Sequence, residues 1–374
     1  MKKNKRALIV GSGPAGATVG RKLAESGWHV QIHEKRSHIG GNLYDYKDKN
    51  GVLIHKYGPH YFRANNYKLI QWLSNYTKWH TGNYYVKAKV GKKLVPLPIS
   101  LSTISTLKGE IYNEKTFKEY LAKNRVNIPN PKNCEEQCLS LVGQELYEAI
   151  FKGYTLKQWN LHPRDLDPSI TARIPLRFNW DEKYVDKNYQ VMPSNGYTSL
   201  MQNILDHQNI VISTNSVFDR DLYKKLKTDY NVIIYTGPID SFFNYRYGKL
   251  DYRSLKFIFK TFNVPFKQDC VQINYPNEKK YTRTVEIKHV TKQNINKTTV
   301  SYEYPTQKGE PFYPILNQKS ALIIPSYKKL VKKEEAKAIP TYFIGRLAEY
   351  RYFDMDQVFA KALNLSKVIE KRFR

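Results

Sequence analysis

The chain has 374 residues, of which 25% are charged, and its formal net charge is +28 at pH 7. This length is enough for two or three domains with a sizeable core. The sequence contains no apolar run long enough for a transmembrane helix. Its N-terminal apolar run is also too short for a signal peptide, because glycines interrupt it. We therefore expect a cytoplasmic protein.

The cysteines argue against a disulfide framework and a zinc site, and the positive charge leaves two interpretations. Cys134, Cys138 and Cys270 are too few, and odd in number, for a disulfide framework. Cys134 and Cys138 lie one helical turn apart, but no nearby His or Cys completes a zinc set, so we predict no metal site. The scattered lysines favour a charged surface that helps to capture an anionic substrate. Binding to nucleic acid or to an anionic membrane is the alternative.

The first elements in chain order form a strand, a helix and a second strand. ALIV at 7–10 predicts a strand, GSGPAGATVG opens a helix that reaches about Ser26, and WHVQIHEK predicts the next strand. Gly27 is a plausible cap at the end of this helix. The stretch is therefore predicted to be a βαβ unit.

A glycine motif lies at the turn between the first strand and the helix. Gly11, Gly13 and Gly16 form GxGxxG, and Glu34 ends the following strand. The glycines permit a tight turn, close approach to a pyrophosphate and packing of helix on strand. Glu34 can accept hydrogen bonds from ribose hydroxyls. This context predicts a dinucleotide cofactor.

The residues after Glu34 favour FAD over NAD. Arg36 follows the acid closely, and the pair Gly40 and Gly41 comes next, a combination typical of flavoproteins. The strand, glycine and helix pattern at 343–358 agrees, because flavin enzymes of this type bring a late helix N-terminus to the isoalloxazine. We therefore predict FAD as the cofactor.

The rest of the chain predicts inserted domains. Residues 51–98 mix strand and loop patterns, and 99–160 are helical apart from prolines at 128–131. Residues 170–195 and 252–315 alternate β-branched or aromatic with polar residues, which predicts antiparallel strands.

Two later strands, in VIIYTGPID and YFIGRLAEY, are predicted to return to the first parallel sheet, and the chain closes with an amphipathic helix. The fold class is thus mixed α/β, with a Rossmann-type FAD-binding domain, an inserted helical domain and an antiparallel β-sheet domain. The predicted boundaries are 1–66, 196–245 and 338–374 for the FAD-binding domain, 98–165 for the helical domain, and 67–97, 166–195 and 246–337 for the antiparallel sheet and substrate domain.

Several longer motifs carry a family resemblance along nearly the whole chain. GSGPAGA, EKRSHIGGN, SLVGQELYEAIFKGYTLKQW, ARIPLRF, YTRTVEIKH and GRLAEYRYFDM resemble the bacterial UDP-galactopyranose mutases. The resemblance implies interconversion of UDP-galactopyranose and UDP-galactofuranose without net redox change. It also implies reduced FAD, whose N5 attacks the anomeric carbon of the sugar. An external reductant such as NAD(P)H or a flavin reductase, and a homodimer, are further expectations.

The resemblance also assigns substrate residues. Arg173 and Arg283 match two essential arginines that hold the diphosphate, with Arg173 on or beside a mobile loop. Tyr184, Tyr313 and Tyr352 match tyrosines whose hydroxyls reach the diphosphate. The residues that resemble the aromatic platform for the uracil base are Phe151, Tyr154 and Trp159.

On the cofactor side, His60 matches a histidine near the flavin, and it joins the two arginines in the predicted catalytic set. Asp354 is expected to cap the last helix, with the following amides directed at the flavin, where they favour its anionic reduced form. The full set predicted to bind the cofactor is Gly11, Gly13, Gly16, Glu34, Lys35, Arg36, Gly41, Asn42, His60, Arg346, Tyr352, Asp354, Met355 and Gln357.

The sequence departs from the family pattern near the expected sugar site. Pro59 precedes His60, Arg63 stands where a second histidine is usual, and Asn160 follows Trp159 in place of glycine. The sugar therefore stays open: an N-acetyl, 6-deoxy, pentose or heptose analogue on UDP, dTDP or GDP is the alternative. A different class, an FAD oxidoreductase of the amine-oxidase type, is the less favoured function.

Overall fold

The structure, a computed structural model, describes residues 5–172 and 175–374. The strands in chain order are β1 (Arg6–Val10), β2 (His29–His33), β3 (Asp45–Lys47), β4 (Leu53–His55), β5 (Phe62–Ala64), β6 (Trp79–Thr81), β7 (Val86–Val90), β8 (Lys93–Leu97), β9 (Tyr189–Pro193), β10 (Ile210–Ser213), β11 (Val232–Tyr235), β12 (Tyr252–Phe262), β13 (Gln272–Asn274), β14 (Arg283–Val285), β15 (Thr298–Thr306), β16 (Tyr313–Pro314) and β17 (Thr341–Phe343). The helices are α1 (Pro14–Glu25), α2 (Tyr67–Leu73), α3 (Leu101–Lys108), α4 (Glu114–Asn124), α5 (Cys134–Leu146), α6 (Gly153–Trp159), α7 (Ser169–Ala172), α8 (Gly196–Leu205), α9 (Arg220–Leu226), α10 (Ile239–Phe242), α11 (Lys288–Thr291), α12 (Gln318–Glu335) and α13 (Met355–Arg372).

A five-stranded parallel sheet joins the beginning, middle and end of the chain. Its order is β10-β2-β1-β11-β17, and each neighbouring pair runs parallel. The predicted βαβ unit and the return of two later strands to the same sheet are confirmed. Such sheets carry their ligand at the carboxyl ends of the strands, where β1 meets the glycine turn.

Helices cover both faces of the parallel sheet, because its strands are apolar on both sides. Ala7 and Ile9 point to a core shared with α1, α8 and α13, whereas Leu8 points to a core shared with α9, α10 and α12. The position of α12 differs from the predicted boundary at 337. This helix packs on β17, with Tyr327 fully buried, so it covers the parallel sheet rather than the antiparallel one.

A seven-stranded sheet forms the second layer, in the order β16-β12-β15-β14-β13-β7-β8. All of its pairs are antiparallel except β13 with β7, which is parallel. The predicted antiparallel sheet therefore contains one parallel pair, which the sequence did not indicate. The pair joins strands from the two separate segments that contribute to the sheet, so no hairpin turn dictates their relative direction.

The sequence predicts antiparallel strands over residues 170–195, but most of the described residues in this stretch lie outside any strand. Among the residues that the structure describes in this stretch, β9 is the only strand, and it pairs with β5 and β6 in a separate three-stranded sheet. Before it, the side chain of Asn179 accepts from the Asp181 amide, and Asp181 accepts from the Lys183 amide. These side-chain turns compete with a strand ladder.

Helices α3 to α6 lie within the stretch 98–165 that is predicted to be a helical domain, and a π-helical segment, Tyr147–Lys152, joins α5 to α6. Across the parts of the chain that the structure covers, 5–172 and 175–374, none of the helices is long and apolar enough to span a membrane.

Candidate active site

The glycine turn after β1 forms a cradle in which side chains have no room. Gly11 has φ +99°, and a Cβ on Gly16 would lie 2.0 Å from the Gly11 carbonyl oxygen. A Cβ on Gly41 would lie 2.9 Å from the Cα of Gly13, so the second glycine turn abuts the first. The first turn of α1 also leaves amide groups free of intrahelical partners. This bare backbone at a helix N-terminus fits the pyrophosphate of a dinucleotide.

Glu34 and Arg36 lie beside the cradle. The buried Glu34 carboxylate accepts from the Ser12 amide at 2.9 Å and from its hydroxyl at 2.7 Å. Arg36 stacks over the Tyr57 ring at 4.1 Å and donates to Asn42 Oδ1 at 3.0 Å. Ser12 therefore fixes the orientation of Glu34 next to the glycines. Glu310 joins the group through ion pairs with Lys35 and Arg36.

Arg283, the first residue of β14, lies directly opposite Glu303 of β15. Its Nε donates to Glu303 Oε2 at 2.7 Å, and the Glu303 side chain is fully buried. Burial acts to lower the pKa of Arg283, but the Glu303 carboxylate outweighs it and raises that pKa well above the usual value. Because the bond to Glu303 uses Nε, the paired Nη groups are left to hold a second anion.

Several predicted residues cluster around the Arg283 guanidinium. Burial raises the pKa of Tyr154 to about 12, and the nearby Arg283 charge opposes that rise. Burial likewise raises the pKa of Tyr313 and of Tyr84 against the same charge. Arg283, Tyr154 and Tyr313 come from three distant parts of the sequence, and the structure brings them together as predicted substrate residues.

Arg346 and two tyrosines form a stack beside this cluster. The Arg346 Cζ lies 4.7 Å from the Tyr352 ring centroid and 5.3 Å from that of Tyr313, and the two rings stack at 6.0 Å. Arg346 Nη2 also donates to the Phe353 carbonyl at 2.6 Å. The loop between β17 and α13 therefore folds around a guanidinium that faces both the predicted cofactor and substrate residues.

The last helix begins where the sequence predicts. Asp354 is the N-cap of α13, and its amide donates to the Gln357 side chain at 2.9 Å, which completes a capping box with Met355 in the first turn. The N-cap at Asp354 is confirmed, and its role towards a flavin stays a prediction.

His60 is neutral at physiological pH. Burial lowers its pKa to about 3, with His55, Arg346 and Arg283 acting in the same direction. The His60 amide donates to His55 Nδ1 at 3.0 Å, and burial lowers the pKa of His55 to about 3. The predicted catalytic histidine therefore lies at the junction of the cofactor and substrate residues as an uncharged group.

Three further residues were predicted to bind the substrate: Arg173, Phe151 and Trp159. Arg173 lies outside the described residues. Phe151 is buried and lines a small apolar pocket with Cys138 of α5 and Thr171 of α7. Trp159 is half-buried at the end of α6.

Glu303 and Arg63 belong to the site as well, although neither carried a predicted role. Glu303 gave no sign of a partner in the sequence, because its pairing with Arg283 depends on the register of two strands. The Arg63 guanidinium lies 4.9 Å from the Tyr84 ring and 5.6 Å from the Tyr184 ring, and its buried Nε has no hydrogen-bond partner among the residues described. The only sequence signal for Arg63 was its departure from the family pattern. The described residues also contain no cluster of acids, histidines and cysteines that would hold a metal ion.

Comparisons with known proteins identify the family of the chain. The family profile of UDP-galactopyranose mutase matches residues 149–352, and that of an NAD(P)-binding Rossmann-like domain matches residues 9–76. The chain is 38% identical to a "Probable UDP-galactopyranose mutase" of Klebsiella pneumoniae, over 96% of this chain and 93% of that protein. It is 35% identical to a dTDP-fucopyranose mutase of Escherichia coli, over 98% of both chains.

The fold also agrees with a solved structure. A reduced UDP-galactopyranose mutase superimposes with a TM-score of 0.76 at 15% identity, covering 98% of this chain and 94% of that one. The predicted mixed α/β fold with a Rossmann-type domain is thereby confirmed. The chain belongs to the UDP-galactopyranose mutase family, flavin-dependent isomerases that act on nucleotide sugars.

Proposed function

We propose that this chain interconverts UDP-galactopyranose and UDP-galactofuranose with the help of reduced FAD. The observation that carries the proposal is the 38% identity, over nearly the whole chain, to the Klebsiella protein named for that substrate. The proposal includes an external reductant, such as NAD(P)H or a flavin reductase, and a homodimer in the cytoplasm.

The cofactor residues in this proposal come from both ends of the chain. The cradle of Gly11, Gly13 and Gly41 receives the pyrophosphate, and Glu34 accepts hydrogen bonds from the ribose hydroxyls. When bound and reduced, the flavin supplies the nucleophilic N5 that the anomeric carbon requires. The amides at the start of α13 favour a negative charge at the flavin's pyrimidine end.

The substrate diphosphate is held by guanidinium groups. Arg283, kept charged and oriented by Glu303, presents its Nη groups to the phosphate oxygens, and Arg173 is the predicted second arginine. The leaving diphosphate gains negative charge as the bond to the sugar breaks. A contact to Arg283 therefore strengthens in the transition state, and its loss is expected to cost about 2–4 kcal/mol.

The aromatic residues of α6 and the neutral histidine complete the assignment. Tyr154 and Trp159 are proposed to hold the nucleobase, with Phe151 behind them. Uncharged His60 adds no positive charge beside the flavin, so the α13 N-terminus and Arg346 provide the local positive field.

The direct test uses the purified flavoprotein. The protein is reduced with dithionite and supplied with UDP-galactopyranose, and pyranose and furanose products are separated by chromatography. We expect equilibrium between the two forms without consumption of an electron acceptor. Equal turnover with oxidised flavin, or one acceptor consumed per turnover, would contradict the proposal and favour an oxidoreductase of the amine-oxidase type.

A 6-deoxy sugar on dTDP is the second candidate substrate. It is supported by the 35% identity to dTDP-fucopyranose mutase over 98% of the chain, and by Arg63 at the position where the family pattern has histidine. Comparing kcat/KM for UDP-galactopyranose and dTDP-fucopyranose on the same reduced preparation decides between the two substrates.

A further inference from the structure

The loop that precedes Arg283 has an unusual anchor. Residues 275–282, here called the β13–β14 loop, connect β13 to β14 and end immediately before Arg283. The Tyr275 amide donates to the Thr282 carbonyl at 2.8 Å and closes the loop at its base. The shape of this loop therefore bears directly on where the Arg283 guanidinium is presented.

Lys157, on helix α6, binds this loop through its ammonium group. Its Nζ donates to the carbonyl oxygens of Tyr275, Lys279 at 2.9 Å and Tyr281 at 3.4 Å. An ammonium group has three donors, and each has a carbonyl acceptor here. The three acceptors lie on both limbs of the loop, so a single side chain on α6 holds both limbs together.

Two further contacts fix both ends of α6 to the same layer. A Cβ on Gly153 would lie 2.2 Å from Asn277 Oδ1 and 2.5 Å from the Pro276 carbonyl oxygen, so the first turn of α6 touches the loop. At the other end, Arg253 of β12 donates to the carbonyls of Gln158 at 2.6 Å and Lys157 at 3.0 Å. A cation at a helix C-terminus is favourable there.

These contacts lie on the side of α6 that faces the candidate site. Tyr154 and Lys157 are three residues apart and therefore neighbours on the helix surface. The Tyr154 ring is close enough to Arg283 for the two to influence each other's protonation. One helix thus carries a predicted base-binding side chain and also the lysine that anchors the loop before the diphosphate-binding arginine.

We propose that Lys157 is a positioning residue that couples the nucleobase-binding helix α6 to the diphosphate-binding Arg283. The inference rests on the proposed function, since it requires a ligand with both a base and a diphosphate. A fixed spacing between the two halves of the site lets one ligand engage both without ordering them during binding. A ligand that touches only one half gains nothing from this coupling.

The test compares ligands that span the site with ligands that do not. Lys157→Met keeps the unbranched apolar body of the side chain and removes its donors. Lys152→Met is the matched control, because Glu148 is the one ion-pair partner of Lys152 among the described residues. Binding of UDP, uridine and inorganic pyrophosphate to the FAD-loaded protein is measured by calorimetry. For Lys157→Met we expect UDP affinity to fall about tenfold, with uridine and pyrophosphate changed by about twofold or less.

Kinetics and a second variant complete the design. KM for the nucleotide sugar is expected to rise about tenfold with kcat changed by about twofold or less, while the Lys152 control matches the wild type. Gly153→Ala, whose added Cβ would push on the same loop from the first turn of α6, is expected to show the same selectivity and serves if Lys157→Met does not fold.

Three outcomes overturn the inference, and they are distinguishable. Equal losses for all three ligands mean that Lys157 only maintains the fold of α6. Unchanged UDP affinity in both variants means that the two halves are not coupled through this loop. Failure of the wild type to bind UDP at all overturns the proposed function. The proposed role of Lys157 is then overturned as well, because it requires that function.

Discussion

The cofactor side of the site takes most of its residues from one short stretch, Gly11 to Asn42, whereas the substrate side takes them from strands and helices far apart in the sequence. On the cofactor side, the decisive atoms are backbone atoms, and the glycine turns can pack together because Gly16 and Gly41 have no Cβ. On the substrate side, the decisive atoms are side-chain atoms, and the site exists because Arg283 pairs with a buried carboxylate. An added methyl group at a glycine should therefore weaken cofactor binding, whereas the loss of a charge should weaken substrate binding and catalysis.

The largest effect is expected at the charge pair. Arg283→Met should lower kcat/KM about 100-fold to 1000-fold, because it removes the charge-assisted contact that we propose Arg283 makes to the leaving diphosphate. It also leaves the Glu303 carboxylate buried without its partner, which costs about 3–5 kcal/mol of stability. Steady-state kinetics and urea denaturation measure the two effects separately.

The double variant Arg283→Met with Glu303→Gln separates catalysis from folding. It should recover much of the stability of the wild type and none of its activity. If Arg283→Met alone keeps kcat/KM within about tenfold of the wild type, Arg283 does not hold the diphosphate.

On the cofactor side, Gly41→Ala should weaken flavin binding about 30-fold. The new Cβ would lie 2.9 Å from the Gly13 Cα, and φ is +57°, so both a clash and backbone strain oppose the substitution. The ratio of flavin to protein absorbance after dialysis measures the loss. Gly82→Ala is the control, since its nearest neighbours lie at 3.8 Å. Equal flavin retention in both variants would mean that the cradle does not bind the cofactor.

The same contrast explains what the sequence predicts well. The glycine turn, Glu34 and the cap at Asp354 are local features, and their geometry follows from residue types a few positions apart. The Arg283–Glu303 pair depends on the register of β14 against β15, which no short motif specifies. For the same reason the sequence did not predict two other features: the parallel pairing of β13 with β7 and the packing of α12 on β17. Long-range pairing, rather than local propensity, decides these features.

Two buried glutamates on the substrate side sharpen the comparison further. Glu303→Gln should lower kcat/KM about tenfold, because it weakens the orientation and charge of Arg283. Glu286 is equally buried, but it accepts from the amides of Lys267 and Gln268 and from the Thr298 hydroxyl. Glu286→Gln should therefore lower stability by about 1–3 kcal/mol and leave kcat within about twofold. A loss of kcat/KM in Glu286→Gln but not in Glu303→Gln would mean that Glu286, rather than Glu303, is the carboxylate that supports activity.

The smallest effect concerns the two neutral histidines at the junction of the two sides. His55 and His60 each have a pKa of about 3 when folded, well below the ordinary value for histidine. Below pH 6.5 the unfolded chain therefore binds more protons than the folded one, and stability falls as pH falls from about 6.5 towards 3. Each ring contributes a slope of about 1.4 kcal/mol per pH unit.

His55→Gln tests this directly, since it keeps an acceptor for the His60 amide but cannot titrate. Urea denaturation between pH 4 and pH 6.5, at saturating flavin, should give a slope reduced by about one proton relative to the wild type. His29→Gln, at an exposed position, is the matched control and should keep the wild-type slope. An unchanged slope in His55→Gln would mean that His55 is charged in the folded protein. A cation would then lie beside His60, at the boundary where the α13 N-terminus and Arg346 are proposed to provide the positive field for the reduced cofactor.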